Sequence, residues 1–171
     1  MKPIQNMQRK RWLALYTRPR FEKKIQKVLV EQNIECYLPM IKTLRQWSDR
    51  RKWVEVPLFS SYIFVKVSHL EYLSVLNAPG SVKFVSFEGN AVEIPEKQIE
   101  AIKWVLSTNI ETEPLEEKIP EGSKVEVIKG PLMGLIAEMT RYNNKNIIML
   151  RIEQLDKSIE VKIPRNHVRI L

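Results

Sequence analysis

Covalent catalysis needs a nucleophile beside a base, and metal chemistry needs His, Cys or carboxylates at ligand spacing. The 171 residues hold one Cys, Cys36, and two His, His69 and His167, far apart in sequence. No G-x-x-x-x-G-K-[ST] phosphate loop, G-x-G-x-x-G, G-x-S-x-G or H-E-x-x-H occurs. A single Cys excludes an internal disulfide and a multi-Cys zinc site. A dyad assembled in space from Cys36 and a His stays open at this level. The simpler reading makes Cys36 a half-buried filler and the two His surface or turn groups. No catalytic residue, metal or cofactor is expected, and the chain is not read as an enzyme.

Positive charge offers a stronger chemical signal. From Met1 to Lys66 there are fifteen Lys/Arg against five Asp/Glu, a net +10, whereas Val67 to Leu171 carries −2. A polyanion partner fits this asymmetry, nucleic acid before a membrane surface. Arg20, Lys23, Lys24 and Lys27 fall within an arc of roughly 100° if this stretch is helical, with Arg18 extending the patch. Such a row can displace counterions from a phosphate backbone, or be a plain solvated face. A second group, Arg45, Arg50, Arg51 and Lys52, surrounds Trp47 and Trp53. Cations interleaved with large aromatics pair with phosphates and stack on unpaired bases. Alternatively the Trp rings pin a hairpin to a sheet, the stronger reading for Trp53. A third group is aromatic: Tyr16, Phe59, Tyr62 and Phe64, either ordinary core or a docking surface for a partner helix.

These groups need elements to hold them. Trp12 to Thr17 reads as a buried first strand, and Pro19 as the first residue of a helix reaching Gln32. That helix turns Phe21, Ile25, Val28 and Leu29 to one side. Glu35 to Leu44, interrupted by Pro39, reads as an edge strand, and a polar tip at Gln46 to Lys52 leads into Trp53 to Val56. Ser61 to Val67 reads as a central strand and His69 to Leu76 as a short helix. Val82 to Phe87 turns at Glu88-Gly89-Asn90 into Ala91 to Ile94. A helix from Pro95 carries Ile99, Ile102 and Leu106, with Trp104 beside them.

The segment from Ser107 to Pro120 holds four Glu and two Pro and reads as an acidic linker. Short alternating segments follow: Lys124 to Ile128, Leu135 to Arg141, Asn146 to Ile152 and Ser158 to Ile163. Turn material separates them at Gly130-Pro131, Asn143-Asn144 and Asp156-Lys157. Ile148, Ile152 and Leu155 also fit a helix face, so strand and helix both stay open there. The fold class is α+β for an N-terminal domain, an antiparallel sheet with helices, followed by a small SH3-like β-barrel. The expected boundaries are 1–107, a linker over 108–119, and 120–171. At 44% apolar and 28% charged the composition is globular. No apolar run approaches the ~20 residues of a membrane span, and no apolar h-region follows the basic start. A soluble, cytoplasmic monomer is expected, with no membrane partner.

The order of these residues resembles a known family. Trp12-Leu13-Ala14-Leu15-Tyr16-Thr17, a helix, Cys36-Tyr37-Leu38-Pro39, and Val56-Pro57-Leu58-Phe59-Ser60-Ser61-Tyr62-Ile63-Phe64-Val65 resemble the N-terminal domain of NusG-type transcription elongation factors. Gly122 to Gly134, GSKVEVIKGPLMG, resembles the opening of a KOW domain. Arg18-Pro19-Arg20 and Arg45-Gln46-Trp47-Ser48-Asp49-Arg50 are similar to specialised paralogues of the RfaH and UpxY kind, UpxY most of all.

The resemblance implies an operon-specific antitermination and processivity factor, acting on surface-polysaccharide operons without catalysis. Its partner would be RNA polymerase, at the clamp helices of the largest subunit, through a dock of Tyr16, Phe59, Tyr62 and Phe84. The basic residues Arg18, Arg20, Lys23, Lys24, Lys27, Arg50 and Arg51 would meet non-template DNA or nascent leader RNA. The KOW domain would bind a small-subunit ribosomal protein or Rho. Three departures are plain. Ser60-Ser61 stands where the family has Pro followed by Gly or Asn, which would loosen the strand entry. Ala137 replaces the second glycine of the KOW turn. The segment near Tyr72-Leu73-Ser74, which would face the polymerase gate loop, lacks the family's His/Thr run. The alternatives are a general elongation factor, a ribosome-associated RNA-binding protein, and an enzyme using Cys36.

Overall fold

Apolar residues at every position from Trp12 to Leu15 leave neither side of the first strand facing water, and β1 (Arg11–Thr17) accordingly lies inside a sheet. The computed structural model of the chain describes residues 8–46, 50–107, 114–115, 122–130, 132–142, 145–152, 157–162 and 168–171. By its internal contacts the chain divides into two units, Met1–Ile94 and Pro95–Leu171.

In the first unit β1 is followed by α1 (Glu22–Glu31), β2 (Glu35–Tyr37), β3 (Met40–Gln46), β4 (Arg51–Pro57) and β5 (Tyr62–Val67). Next come α2 (Tyr72–Leu76), β6 (Ser81–Phe84), β7 (Ser86–Phe87), β8 (Asn90–Ala91) and β9 (Glu93–Ile94). The main sheet has the order β2-β5-β1-β6, with β9 also paired to β1, and every pairing is antiparallel. The α+β expectation therefore holds for this unit. Alternation along the strands sorts side chains to two faces. Leu13 and Leu15 of β1 join Ile63, Val65 and Val67 of β5, and Ile25 and Leu29 of α1, in one buried cluster. The other face carries Trp12, Ala14 and Tyr16, directly opposite Lys66, Phe64 and Tyr62.

Pro39 breaks the expected edge strand in two. β2 stays on the main sheet, while β3 pairs with β4 in a separate two-stranded hairpin. The Leu58 amide donates to the Pro39 carbonyl at 2.8 Å and closes the hairpin's base.

The helix expected from Pro19 begins later, at Glu22. Arg20 takes φ +68°, and the Arg18 amide donates to the Gly80 carbonyl at 2.8 Å. The chain is thus tied across to the β6 entry before it can start to coil. Gly80 itself has φ +98°, and a Cβ there would overlap the Phe21 ring.

The second unit contains α3 (Glu96–Ser107), β10 (Pro114–Leu115), β11 (Ser123–Val127), β12 (Ile136–Tyr142), β13 (Lys145–Ile152), β14 (Lys157–Lys162) and β15 (Val168–Ile170). Its strands form one antiparallel sheet in the order β10-β14-β13-β12-β11-β15. α3 groups with this unit, whereas the sequence places the break after residue 107. It buries Ile99, Ala101, Ile102 and Val105. β10 lies inside the segment read as linker and pairs with β14; the rest of that segment lies outside the described residues. Ile148 and Ile152 belong to strand β13, which removes the helical alternative there, and Leu155 is outside the described residues. Ala137 is a buried strand residue opposite Val125.

Candidate docking face and nucleic-acid interface

The aromatic face of the first unit is built on strand register. Tyr16 stands opposite Tyr62, and their ring centroids are 5.3 Å apart with the planes tilted by 58°. One step along, the small side chain of Ala14 faces Phe64 and leaves room for its ring. From the other side β2 sets Tyr37 opposite Phe64, stacked at 6.4 Å. Phe59, in the turn before β5, meets Phe64 edge-on at 5.9 Å. Phe59 and Phe64 are fully buried, while Tyr16, Tyr37 and Tyr62 are half-buried. These rings stand side by side on one face of the sheet, with Phe59 and Phe64 closed off from water and the three phenols only half so.

Burial, and then the neighbouring Tyr16, push the Tyr62 hydroxyl above its ordinary value. Burial pushes Tyr37 up to about 12. Both rings are neutral at physiological pH, so covering them takes no charge out of water. At the far end of the face, Lys66 Nζ lies 5.7 Å from the centre of the buried Trp12 ring.

Three of the four expected docking residues lie on this face. Phe84 does not. Its register partner is Leu15, so it points into the aliphatic cluster, where it is 3% exposed and packs on Tyr72 at 4.3 Å. Phe59 packs on Phe64 of that face but is only 2% exposed, so it offers a partner almost no surface of its own. Tyr37 was not among the expected site residues; strand alternation through Glu35-Cys36-Tyr37 was the one signal for it.

The strand entry is held despite its missing Pro. Ser61 adopts φ +66°, a left-handed conformation that costs a non-glycine residue about 1–2 kcal/mol. Its amide donates to Glu22 Oε1 at 2.7 Å, and its carbonyl accepts from the Thr17 amide at 2.8 Å. Glu22 is buried in the first turn of α1. That carboxylate ties the helix to the turn before Tyr62, a link that stands where the family has its Pro.

Of the basic residues, Arg18 and Arg20 are exposed in the loop before α1, and Lys23, Lys24 and Lys27 are exposed on α1. Lys24 Nζ sits 5.5 Å from the centre of the Phe21 ring. Glu31, one turn beyond Lys27, falls in the same arc and offsets part of its charge. Arg50 and Arg51 belong to the hairpin, a separate element from α1, and Arg51 Nε donates to Gln46 Oε1 at 3.0 Å. Trp47 is outside the described residues. Trp53 is 65% exposed, so it does not pin the hairpin to the sheet.

The Cys36 thiol donates weakly to the Gln26 carbonyl, and burial, with Glu35 nearby, raises its pKa. A reactive thiolate needs the opposite shift. His69 is exposed and His167 is outside the described residues. Among the described residues no group of three His, Cys, Asp or Glu is placed to hold a metal ion, and no helix is long and apolar enough to cross a membrane.

Residues 10–103 match the family model described as "Transcription termination factor nusG". Among solved structures, NusG of Thermotoga maritima, in a structure titled for its domain interaction, is similar at 18% identity with a TM-score of 0.53. The match covers 95% of this chain and 97% of that one, and shows a shared fold. Two structures of the MjSpt4:Spt5 complex, conformations A and B, match at 18% identity over 94% of this chain, covering 97% and 96% of those chains with TM-scores of 0.29.

Proposed function

The chain belongs to the NusG family, a family of transcription elongation factors, and from that premise we propose that it docks on RNA polymerase through the aromatic face. The observation that carries this reading is the half-buried Tyr16–Tyr62 pair, beside the buried Phe64 on the same face of the sheet. Aromatic rings set in a water-excluding surround are where interface energy concentrates. An apolar helical surface of the polymerase clamp is the partner we assign to Tyr16, Tyr37 and Tyr62. Phe84 leaves the dock.

The basic edge at Arg18, Arg20, Lys23, Lys24 and Lys27, with Arg50 and Arg51 on the hairpin, faces nucleic acid in this reading. It steers the factor by charge rather than by base identity. A factor that binds the active polymerase better than the paused one raises the active population, which suppresses pausing and termination with no chemical step. The resemblance of Arg45 to Arg50 to specialised paralogues supports action at particular operons over general elongation. We read the second unit as the KOW barrel that carries a further protein contact, with a small-subunit ribosomal protein or Rho.

A purified transcription assay on a template with strong pauses tests the reading. The expected result is shortened pause lifetimes, lost with Tyr16→Ala. A chain that neither binds polymerase nor changes pausing would end it. Templates with and without a candidate leader separate the operon-specific factor from the general one.

A further inference from the structure

The β3–β4 hairpin carries a feature that the polymerase dock does not use. Leu44 stands directly opposite Trp53, and the two are 45% and 65% exposed on the same side of the ribbon. Same-side residues along a strand repeat every two positions, about 6.8 Å. The neighbours of this pair are therefore Gln46 and Arg51 toward the tip, and Lys42 and Glu55 toward the base. Arg45 and Lys52 form the intervening pair on the other side. The bond from Arg51 Nε to Gln46 Oε1 holds the guanidinium to the cross-strand pair that follows Leu44–Trp53 on the same side. From Met40 to Pro57 the segment holds five Lys/Arg against two Asp/Glu.

We propose that this side of the hairpin is a stacking platform for unpaired bases of a single-stranded nucleic acid, with the Trp53 ring as its centre. The inference rests on the reading above for a nucleic-acid partner and needs nothing from the polymerase dock. An exposed Trp ring among cations has what a single strand offers in return, a flat π-face and a phosphate one step away. A duplex hides its base faces in the stack, so it meets only the cations. An apolar protein helix would use the Leu44–Trp53 pair but leave the cations around it unmatched, whereas a single strand matches both. Leu44 widens the apolar surface beside the ring and Arg51 takes the phosphate on the same side, while Arg45 and Lys52, on the other side, add to the positive field that draws the strand to the hairpin. Sequence tolerance follows, because every base has a face to stack.

The test measures affinity of the full chain for fluorescent oligothymidylate, oligouridylate and a duplex by anisotropy over a range of salt. The single strands are expected to bind more tightly than the duplex, and the DNA and RNA arms identify the source. Trp53→Ala should lower single-strand affinity about tenfold, with duplex affinity unchanged and Trp53→Phe restoring most of the loss. Lys52→Ala should lower the salt slope by about one while leaving the preference for single strands. Because Trp53 is exposed, an unchanged melting temperature in both Trp53 variants is part of the expected result. Equal affinity of Trp53→Ala and the unsubstituted chain overturns the proposal, as does a duplex bound as tightly as the single strands. A Trp53→Ala variant that loses polymerase instead of oligonucleotide makes the face a protein contact and also overturns it. Trp53-dependent oligonucleotide binding with no polymerase binding upholds the platform and defeats the dock.

Discussion

One sheet in the first unit has two faces of opposite character. On the side of Leu13, Leu15, Ile63 and Val65, aliphatic chains interlock with α1 and are sealed from water. On the side of Tyr16, Tyr37 and Tyr62, rings stop half-way out and end in hydroxyls, although Phe64 beside them and Phe59 packed on it are fully buried. The same strands supply both, so β propensity cannot be the cause; alternation and choice of side chain are. A face that has finished burying its surface contributes to stability. One that has stopped short is, in the function proposed above, left for a partner to finish.

That contrast is easiest to break with a pair of neighbours. Leu15→Ala should cost about 2–5 kcal/mol in urea denaturation, because it opens a cavity in a closed core. Tyr16→Ala, next to it, removes a ring pair worth about 0.5–1.5 kcal/mol beyond its area. Polymerase affinity should respond in the opposite order, with Tyr16→Ala behaving as a hot spot of about 2 kcal/mol or more. Equal stability losses from the two substitutions would mean that the faces do not differ as described.

A smaller effect is expected where the two faces are joined. Glu22 reaches from the first turn of α1 to the Ser61 amide, at the entry of the strand that carries Tyr62. Glu22→Ala leaves that amide without its acceptor, at about 1–3 kcal/mol. Ser61→Gly should act in the other direction and stabilise by up to about 1 kcal/mol, since glycine takes the left-handed turn without strain. If Glu22→Ala also weakens polymerase binding, the carboxylate positions the phenols. If it lowers only the midpoint, the link is purely structural. Below these in size is charge reversal of Lys23, Lys24 and Lys27. It should leave stability within about 0.5 kcal/mol, as surface changes usually do, and should weaken recruitment and flatten its salt dependence.

The strands were legible because their signal is local. β5 lies within a residue of the near-continuous apolar run at Ser61 to Val67, and β11, β12, β13 and β14 lie within a residue of the segments that alternation picks out. Register is not local, and the site depends on it. Phe84 looks like one more aromatic until β6 is paired, when Leu15 becomes its partner and it turns to the opposite face. The start of α1 fails in the same way. Pro19 is well suited to a first helical position, but the bond between the Arg18 amide and the Gly80 carbonyl reaches across more than sixty residues. Trp53 reads as a pin because Trp is rarely left in water, and only the separation of the hairpin from the main sheet exposes it. The sequence shows Tyr16, Phe59, Tyr62 and Phe64 as an aromatic group and leaves core or dock open. The family resemblance singles out Tyr16, Phe59 and Tyr62, and Tyr37 escapes because β2 is three residues long.

The three phenols of that face make one more prediction, the smallest. Tyr37 is pushed by burial from an ordinary 10.0 up to about 12, and Tyr62 moves the same way through burial and the neighbouring Tyr16. An acid that holds its proton more tightly in the folded chain favours folding at every pH below its unfolded value. For Tyr37 that contribution is complete below pH 10 and is lost as pH rises from 10 through about 12. Stability measured against pH should therefore fall along an alkaline limb in that window, and Tyr37→Phe should make the limb shallower. Absorbance titration of tyrosinate should show a late component that the same substitution removes. Were every tyrosine to ionise near 10, the phenols would be as wet as the surface around them. The aromatic side of the sheet would then lose its claim to be a half-finished core awaiting a partner.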